Sequence, residues 1–313
     1  MYKIFNGDCL QEMKNIQNNS VDLIVCDPPY GTIKGVEHSK KNPEKARKGA
    51  TNRDTGWDEV IDINEMFKEC GRVLKKGRKL ILFCQEPFTS QLIQTYNTFF
   101  QFNYKMIWKK NNAGNILGCR KNHVNYYEEI LVFTKKYDFY SMPEIREYSR
   151  KLNNFFTYKE LKESGLYSKV QHFTSSEGLQ FHIPSEIYYN QFIEYFDLKN
   201  KLGSDFIEYS DLYNMKLAYD GKSIFNLWEG NKTKSNILEY DRPKKPVHPT
   251  QKPTDLLEDI IKTFSNEQEL ILDFTMGSGS TGVAALNCNR RFIGIEKLEE
   301  YYNIAEQRIK EVQ

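Results

Sequence analysis

A mostly parallel α/β sheet is the fold this sequence predicts, and three observations predict it. Short apolar segments of strand length alternate with amphipathic stretches of helical period, the pattern of strands joined by covering helices. One apolar segment, Val21–Cys26, leaves the sheet through Asp27-Pro28-Pro29-Tyr30. Another, Leu270–Leu272, runs into Asp273-Phe274-Thr275-Met276-Gly277-Ser278-Gly279-Ser280-Thr281-Gly282. In open α/β sheets ligands lie just outside the carboxyl ends of strands, so acids, prolines and glycines there mark a site.

Seven segments read as strands: Tyr2–Gly7, Val21–Asp27, Lys79–Cys84, Tyr104–Lys109, Glu129–Thr134, Leu270–Phe274 and Arg291–Glu296. The fourth and fifth have only a loop without helical pattern between them, which permits an antiparallel pair. Ile63–Leu74 reads as an amphipathic helix, with Lys75-Lys76-Gly77 as its basic last turn and terminal glycine. Leu256–Phe264, Ser280–Leu286 and Glu299–Val312 are the other helices of this part.

From about 137 to 242 the βα rhythm is lost, and this third of the chain holds 22 of the 43 aromatic residues. It reads as an inserted module within a discontinuous domain formed by 1–136 and 243–313. Thr157-Tyr158-Lys159-Glu160 and Ser168-Lys169-Val170-Gln171 both fit the capping box at a helix start, with Gly165 between them. That spacing fits a helix-turn-helix, which places its second helix in a DNA groove, and equally fits two packed helices without a DNA role.

Composition narrows the class. At 313 residues, 39% hydrophobic and 27% charged, the chain is expected to be a soluble globular protein. It has no apolar run of membrane length, and its N-terminus opens directly into a strand-like segment without a signal peptide. The six cysteines are scattered, without paired zinc spacing, and read as reduced thiols of a cytoplasmic protein. A net charge of +2 does not announce a nucleic-acid binder. Yet Lys34 to Arg53 holds seven Lys/Arg against two acids. A solvated loop is the plain reading; a phosphate-tracking loop beside Tyr30 is the sharper one.

The loop after Leu272 offers glycines for close backbone approach and free amides at a helix start. Glu296, at the end of the next strand, is placed to accept bonds from ribose hydroxyls. Gly277, Gly279 and Gly282 match the dinucleotide fingerprint, so a dehydrogenase is the first rival. However, only one further strand follows the loop, and a dehydrogenase leaves Asp27–Tyr30 unexplained. A nucleoside cofactor without pyrophosphate suits the same parts. His248-Pro249-Thr250-Gln251-Lys252-Pro253 reads either as a stiff linker or as a functional motif. Asn6-Gly7-Asp8-Cys9 reads as a turn or a helix N-cap.

Asp27-Pro28-Pro29-Tyr30, His248–Pro253 and Asp273–Thr281, in that order, resemble the amino-group DNA methyltransferases of bacteria and their phages, in the beta-group order of parts. Phe83–Ser90, Trp108-Lys109-Lys110 and Tyr127–Phe133 extend the resemblance over 1–136 and 243–313. It implies a circularly permuted Rossmann-like sheet of about seven strands, S-adenosylmethionine as cofactor, duplex DNA as partner and an inserted target-recognition domain. It also implies a homodimer in the bacterial cytoplasm. The length is expected to leave no room for a motor or nuclease domain, so methylation alone is the expected activity, and a cognate restriction nuclease is possible but not readable from the sequence.

The resemblance also implies roles. Asp8 would meet the cofactor's adenine. Asp273, Phe274, Gly277 and Gly279 would wall its methionine and ribose, Glu296 would hold the ribose hydroxyls, and Thr250 and Lys252 would close over the methionine end. Cys9, Asp27, His248, Ser278 and Thr281 complete the cofactor set. An Asp before Pro-Pro-Tyr usually accompanies adenine N6, and a Ser cytosine N4. The catalytic set is therefore Asp27, Pro28, Pro29 and Tyr30: the carboxylate and the Pro28 carbonyl accept the amine's hydrogens, and Tyr30 stacks on the base. Such stacking is worth ~1–3 kcal/mol, offsetting part of the cost of extruding the base. No metal is required. Amino-cytosine transfer is the nearest alternative, and an inactive DNA-binding scaffold a distant one.

Overall fold

The computed structural model describes residues 1–31, 59–95, 99–112, 120, 123–136, 142–178, 180–219, 224–228, 230, 232–244, 246–248 and 250–312. The basic stretch from Lys34 to Arg53, with Cys119 and Pro249, lies outside the described residues.

The chain begins with β1 (Tyr2–Asn6), α1 (Cys9–Glu12) and β2 (Val21–Cys26), followed by α2 (Ile63–Val73), β3 (Leu74–Cys84), α3 (Phe88–Thr95), β4 (Phe100–Lys109) and β5 (Tyr127–Lys135). Six helices come next: α4 (Pro143–Asn153), α5 (Tyr158–Glu163), α6 (Tyr167–Thr174), α7 (Glu186–Tyr195), α8 (Leu198–Leu202) and α9 (Tyr209–Tyr219). It closes with β6 (Ile237–Glu239), α10 (Thr254–Phe264), β7 (Leu270–Asp273), α11 (Ser280–Asn287), β8 (Arg291–Glu296) and α12 (Glu299–Lys310). No helix among the described residues is long and apolar enough to cross a membrane.

Eight strands form one sheet in the order β1-β8-β7-β2-β3-β5-β4-β6. The β3–β5 and β5–β4 pairs are antiparallel and the rest parallel. All seven expected strands are present, and the fourth and fifth do pair antiparallel. The eighth, β6, was not foreseen, because three residues are too few to display a period.

Central strand β2 is buried at every position because helices cover both faces of the sheet. Its side chains alternate between two cores. Leu23 and Val25 face α10, α11 and α12, while Ile24 and Cys26 face α1, α2 and α3.

The expected end of α2 is corrected. The helix stops at Val73 and Leu74 enters β3 at once, pairing with Val21. Lys75-Lys76-Gly77 is therefore strand, not a last helical turn. Gly77, at φ +79°, sits where the register shifts between Val21 and Leu23, a bulge that glycine accommodates. Buried Asp22 draws this segment in, bonding Lys75 Nζ at 2.8 Å and accepting Arg78 Nε at its carbonyl at 2.7 Å.

Helices α4–α9 build a third core around Tyr148, Phe173, Tyr189 and Phe192. The Thr157–Glu160 capping box forms at α5. The second one does not: α6 starts at Tyr167, so Ser168 lies inside it, and its N-cap Leu166 makes no side-chain bond. Ser164 Oγ takes the Leu166 amide at 3.1 Å instead, just before Gly165 turns at φ +75°. The return leg packs on the sheet domain: β6 pairs with β4, and Asn226 N donates to the Thr263 carbonyl at 2.8 Å.

Candidate active site

Strands β1, β8, β7 and β2 are mutually parallel, so their carboxyl ends share one edge. That edge brings Asp8, Glu296, Asp273 and Asp27 onto a single cavity of about 860 Å³. Because β5 runs the other way, its first residues reach the same edge and add Glu128. Trp108 and Lys110, at the end of β4, join it there.

Every expected site residue lines this cavity except Gly279: Cys9, Pro28, Pro29, Tyr30, His248, Thr250, Lys252, Phe274, Gly277, Ser278 and Thr281 stand with the four acids. Gly279 is corrected. It is the left-handed N-cap of α11, and a Cβ there would lie 2.9 Å from Ala305 Cβ. Its missing side chain allows α11 to meet α12. Gly277, also at positive φ, does face the cavity, with the His248 ring 3.9 Å from where its Cβ would be.

Asp8 is a helix cap. Its Oδ1 accepts the amides of Leu10 and Gln11 at 3.0 and 3.2 Å. Glu296 is held by main chain at both oxygens, Gly277 N at 2.9 Å and Leu298 N at 2.8 Å, and burial raises its pKa. Asp273 is 3% exposed and accepts Thr275 N at 3.1 Å. Burial pushes its carboxyl up to about 7. His248 is buried edge-on against Tyr301, with ring centroids 4.2 Å apart. Its Nδ1 accepts Thr250 N at 3.2 Å, and burial followed by the charge of Lys252 lowers its pKa to about 4, so the neutral ring carries its proton on Nε2.

At the centre is a cluster of two acids and two ammoniums. Asp27 accepts the Tyr30 hydroxyl on Oδ1 at 2.5 Å and Lys252 Nζ on Oδ2. Lys252 also stands 3.2 Å from Glu128 Oε2, while Glu128 Oε1 accepts Lys110 Nζ at 3.2 Å. Burial raises the Asp27 pKa against the opposing pull of Lys252. For Glu128, Lys252 and Lys110 outweigh burial and hold it low. For Lys252, burial is outweighed by Asp27 and Glu128, which hold its ammonium above the ordinary lysine range. The Tyr30 ring stacks on Phe88 at 5.6 Å and 28°. Glu128 and Lys110 were given no role from sequence. Both lie in segments that carry the family resemblance, but their place depends on the direction of β5.

An acid at the end of β2 stands beside a glycine loop from β7 on the same cavity, the two motifs on which the resemblance to amino-group DNA methyltransferases rests, and the family comparison agrees. A model of the N6/N4 DNA methylase family matches residues 21–307. The chain belongs to that family. This DNA methylase is an amino-group methyltransferase of the adenine-N6 or cytosine-N4 kind.

Relatives of the methylase include the type II methyltransferase M2.MboI of Moraxella bovis, 24% identical over 99% of this chain and 88% of the relative. The DNA adenine methyltransferase YhdJ of Escherichia coli K12 is 25% identical, over 98% of this chain and 82% of its own. Among solved structures, the M1.HpyAVI–SAM complex superposes with a TM-score of 0.53 at 20% identity, covering 99% of this chain and 100% of that one. The PvuII cytosine-N4-specific methyltransferase gives 0.51 at 12% identity, covering 99% and 92%. These likenesses show the methylase's fold, a mixed α/β sheet shared with DNA methyltransferases.

Proposed function

We propose that the protein is a site-specific DNA adenine-N6 methyltransferase that moves a methyl group from S-adenosylmethionine to an adenine flipped out of duplex DNA. The observation that carries adenine over cytosine is Asp27 itself, a carboxylate at the exit of β2 and not a serine, open to the cavity at 22% side-chain exposure. The name of the relative YhdJ, a DNA adenine methyltransferase, supports the same reading.

The residues present fit the cofactor. The cavity is of the size that takes a nucleoside-sized ligand, and Asp8, Asp27, Asp273 and Glu296 around it suit a ligand with ribose hydroxyls and positive charge. Gly277 leaves room beside His248. Thr250 and His248 would border its methionine end, and Glu296 its ribose. When bound, S-adenosylmethionine supplies an electrophilic methyl group.

The protein's part is alignment and charge stabilisation. An adenine amine is a weak nucleophile because its lone pair is delocalised into the ring. Asp27 and the Pro28 carbonyl accept its two hydrogens, favour a pyramidal nitrogen and stabilise the positive charge that develops there. Two successive prolines restrict the backbone that carries that carbonyl. Tyr30, backed by Phe88, offers a ring for the extruded base. Asp27 acts first as a charge stabiliser and not as an initial base; once the methyl has transferred, the surplus proton of the methylated nitrogen passes to its carboxylate.

In this reading 1–136 and 243–313, joined by the return leg that adds β6 to the sheet, form the catalytic domain, and the helical cluster α4–α9 selects the target sequence. A homodimer in the bacterial cytoplasm completes the proposal. The test is incubation of the chain with unmethylated DNA and methyl-labelled S-adenosylmethionine, followed by nucleoside analysis. Labelled N6-methyladenine is the expected product. N4-methylcytosine would move the reading to cytosine, and unlabelled DNA would overturn it.

A further inference from the structure

Asp27 meets the cavity with both carboxylate oxygens engaged, Oδ1 by the Tyr30 hydroxyl and Oδ2 by Lys252 Nζ. Lys252 is 7% exposed and packs over the Phe83 ring, 5.1 Å from its centroid. The ammonium therefore takes one acceptor site of Oδ2 and offsets the carboxylate's charge, which weakens Asp27 as an acceptor for an incoming amine. It also places positive charge beside a nitrogen that must itself become positive. Glu128 stands on the other side of the same ammonium. Its Oε2, 3.2 Å from Lys252 Nζ, is buried and accepts no hydrogen bond among the described residues. The ammonium is thus within ion-pair distance of Oε2 without a well-formed hydrogen bond, so this buried oxygen gains when the ammonium turns toward it.

We propose that Glu128 is a positioning residue that receives the Lys252 ammonium from Asp27 when the target amine arrives, unmasking Asp27 for the reaction. The inference rests on Asp27 being the acceptor for that amine. The shift is short, because Nζ already touches both carboxylates. It conserves charge: no proton moves, the ammonium exchanges one carboxylate for the other, and Lys110 remains on Glu128 Oε1. Burial disfavours the Lys252 charge, but Asp27 and Glu128 together keep it protonated, so it leaves Asp27 as a cation and needs an anion to receive it.

The test is a double-mutant cycle, Glu128→Gln, Lys252→Met and both together, in single-turnover assays with saturating labelled S-adenosylmethionine and unmethylated bacteriophage DNA. Glu128→Gln should bind the cofactor in calorimetry about as the wild type does, yet transfer roughly tenfold or more slowly, because the neutral amide leaves Lys252 on Asp27. Adding Lys252→Met should make the double variant faster than Glu128→Gln alone. A merely structural glutamate would recover stability and rate together, because Lys252→Met also removes the ammonium left unpaired; urea melts therefore accompany the rates, and the positioning role requires the rate to recover beyond any recovery of stability. Wild-type transfer by Glu128→Gln, or a double variant no faster than it, would overturn the proposal. Should Glu128→Gln not fold, a wild-type crystal with DNA and S-adenosylhomocysteine decides: Nζ on Glu128 supports the shift and Nζ still on Asp27 refutes it. A wild type that labels no DNA overturns the functional reading; a wild type that labels DNA with no rescue overturns the positioning role alone.

Discussion

Thr275 Oγ1 donates to the Asp27 carbonyl at 3.1 Å across 248 positions of sequence, so the exit of β7 clamps the exit of β2. The same hydroxyl lies 2.8 Å from Cys26 Sγ. The clamp holds the peptide that leads into Pro28, and with it the direction of both proposed amine acceptors. Thr275→Val keeps the shape and removes the bond. It should cost about 1 kcal/mol of unfolding free energy and slow methyl transfer more than it weakens cofactor binding. Urea melts, calorimetry and single-turnover rates check this, and an unchanged rate would separate the clamp from catalysis.

Asp27→Ala should abolish transfer while weakening cofactor binding far less, since Asp27 is one of several groups around the cofactor. Lys252 then retains Glu128 as its buried partner, so the fold is expected to survive. Calorimetry together with label incorporation separates the two effects. Wild-type transfer by this variant would remove Asp27 from the mechanism.

Sequence reasoning makes Tyr30→Phe mild, since stacking needs only the ring. The structure changes that expectation, because the hydroxyl bonds the half-buried Asp27 carboxylate at 2.5 Å. Tyr30→Phe should now slow transfer by roughly tenfold, the loss of one charge-assisted hydrogen bond. Tyr30→Ala should be worse still, since it also loses the ring that backs the base. Equal rates for the two variants would assign the whole effect to the hydroxyl.

Asp273 makes stability depend on pH in a defined sense. Its carboxyl titrates near 7 in the fold against an ordinary 3.8, because burial disfavours the charge. The stabilisation from the neutral form is complete below about pH 4 and is lost as pH rises through about 7. Asp273→Asn does not titrate. Its melting temperature relative to wild type should therefore climb from pH 5 to pH 8, corresponding to roughly a few kcal/mol at most. A difference independent of pH would contradict this assignment.

Gly279→Ala should destabilise the chain by about 1–3 kcal/mol. It adds a Cβ at φ +79° and places it 2.9 Å from Ala305 Cβ. Gly165→Ala is the control: its φ is +75° but nothing lies within 4 Å of the new atom, so only the backbone cost of about 1 kcal/mol applies. Urea denaturation compares them, and equal losses would mean that contact with α12 is not the constraint.

The seven longer strands, helices α2, α10, α11 and α12 and the four strand-end acids were legible in the residue order, whereas the short α1 and α3 were not. Local patterns state which side chains a sheet buries and where a strand stops, and parallel strands bring their carboxyl ends to one edge. Asp8, Asp27, Asp273 and Glu296 needed no more than that. Glu128 did need more: it opens a strand, and it enters the site because β5 runs against β3, a pairing direction that no local period encodes. The strand-forming Lys75-Lys76-Gly77 was hidden in the same way, since buried Asp22 draws it into the sheet. Gly279 looked like a ligand-facing glycine until α12 was placed against it. The Lys252–Asp27 pair joins residues 225 positions apart. Each charge could be read singly, but their meeting depends on the order of strands in the sheet.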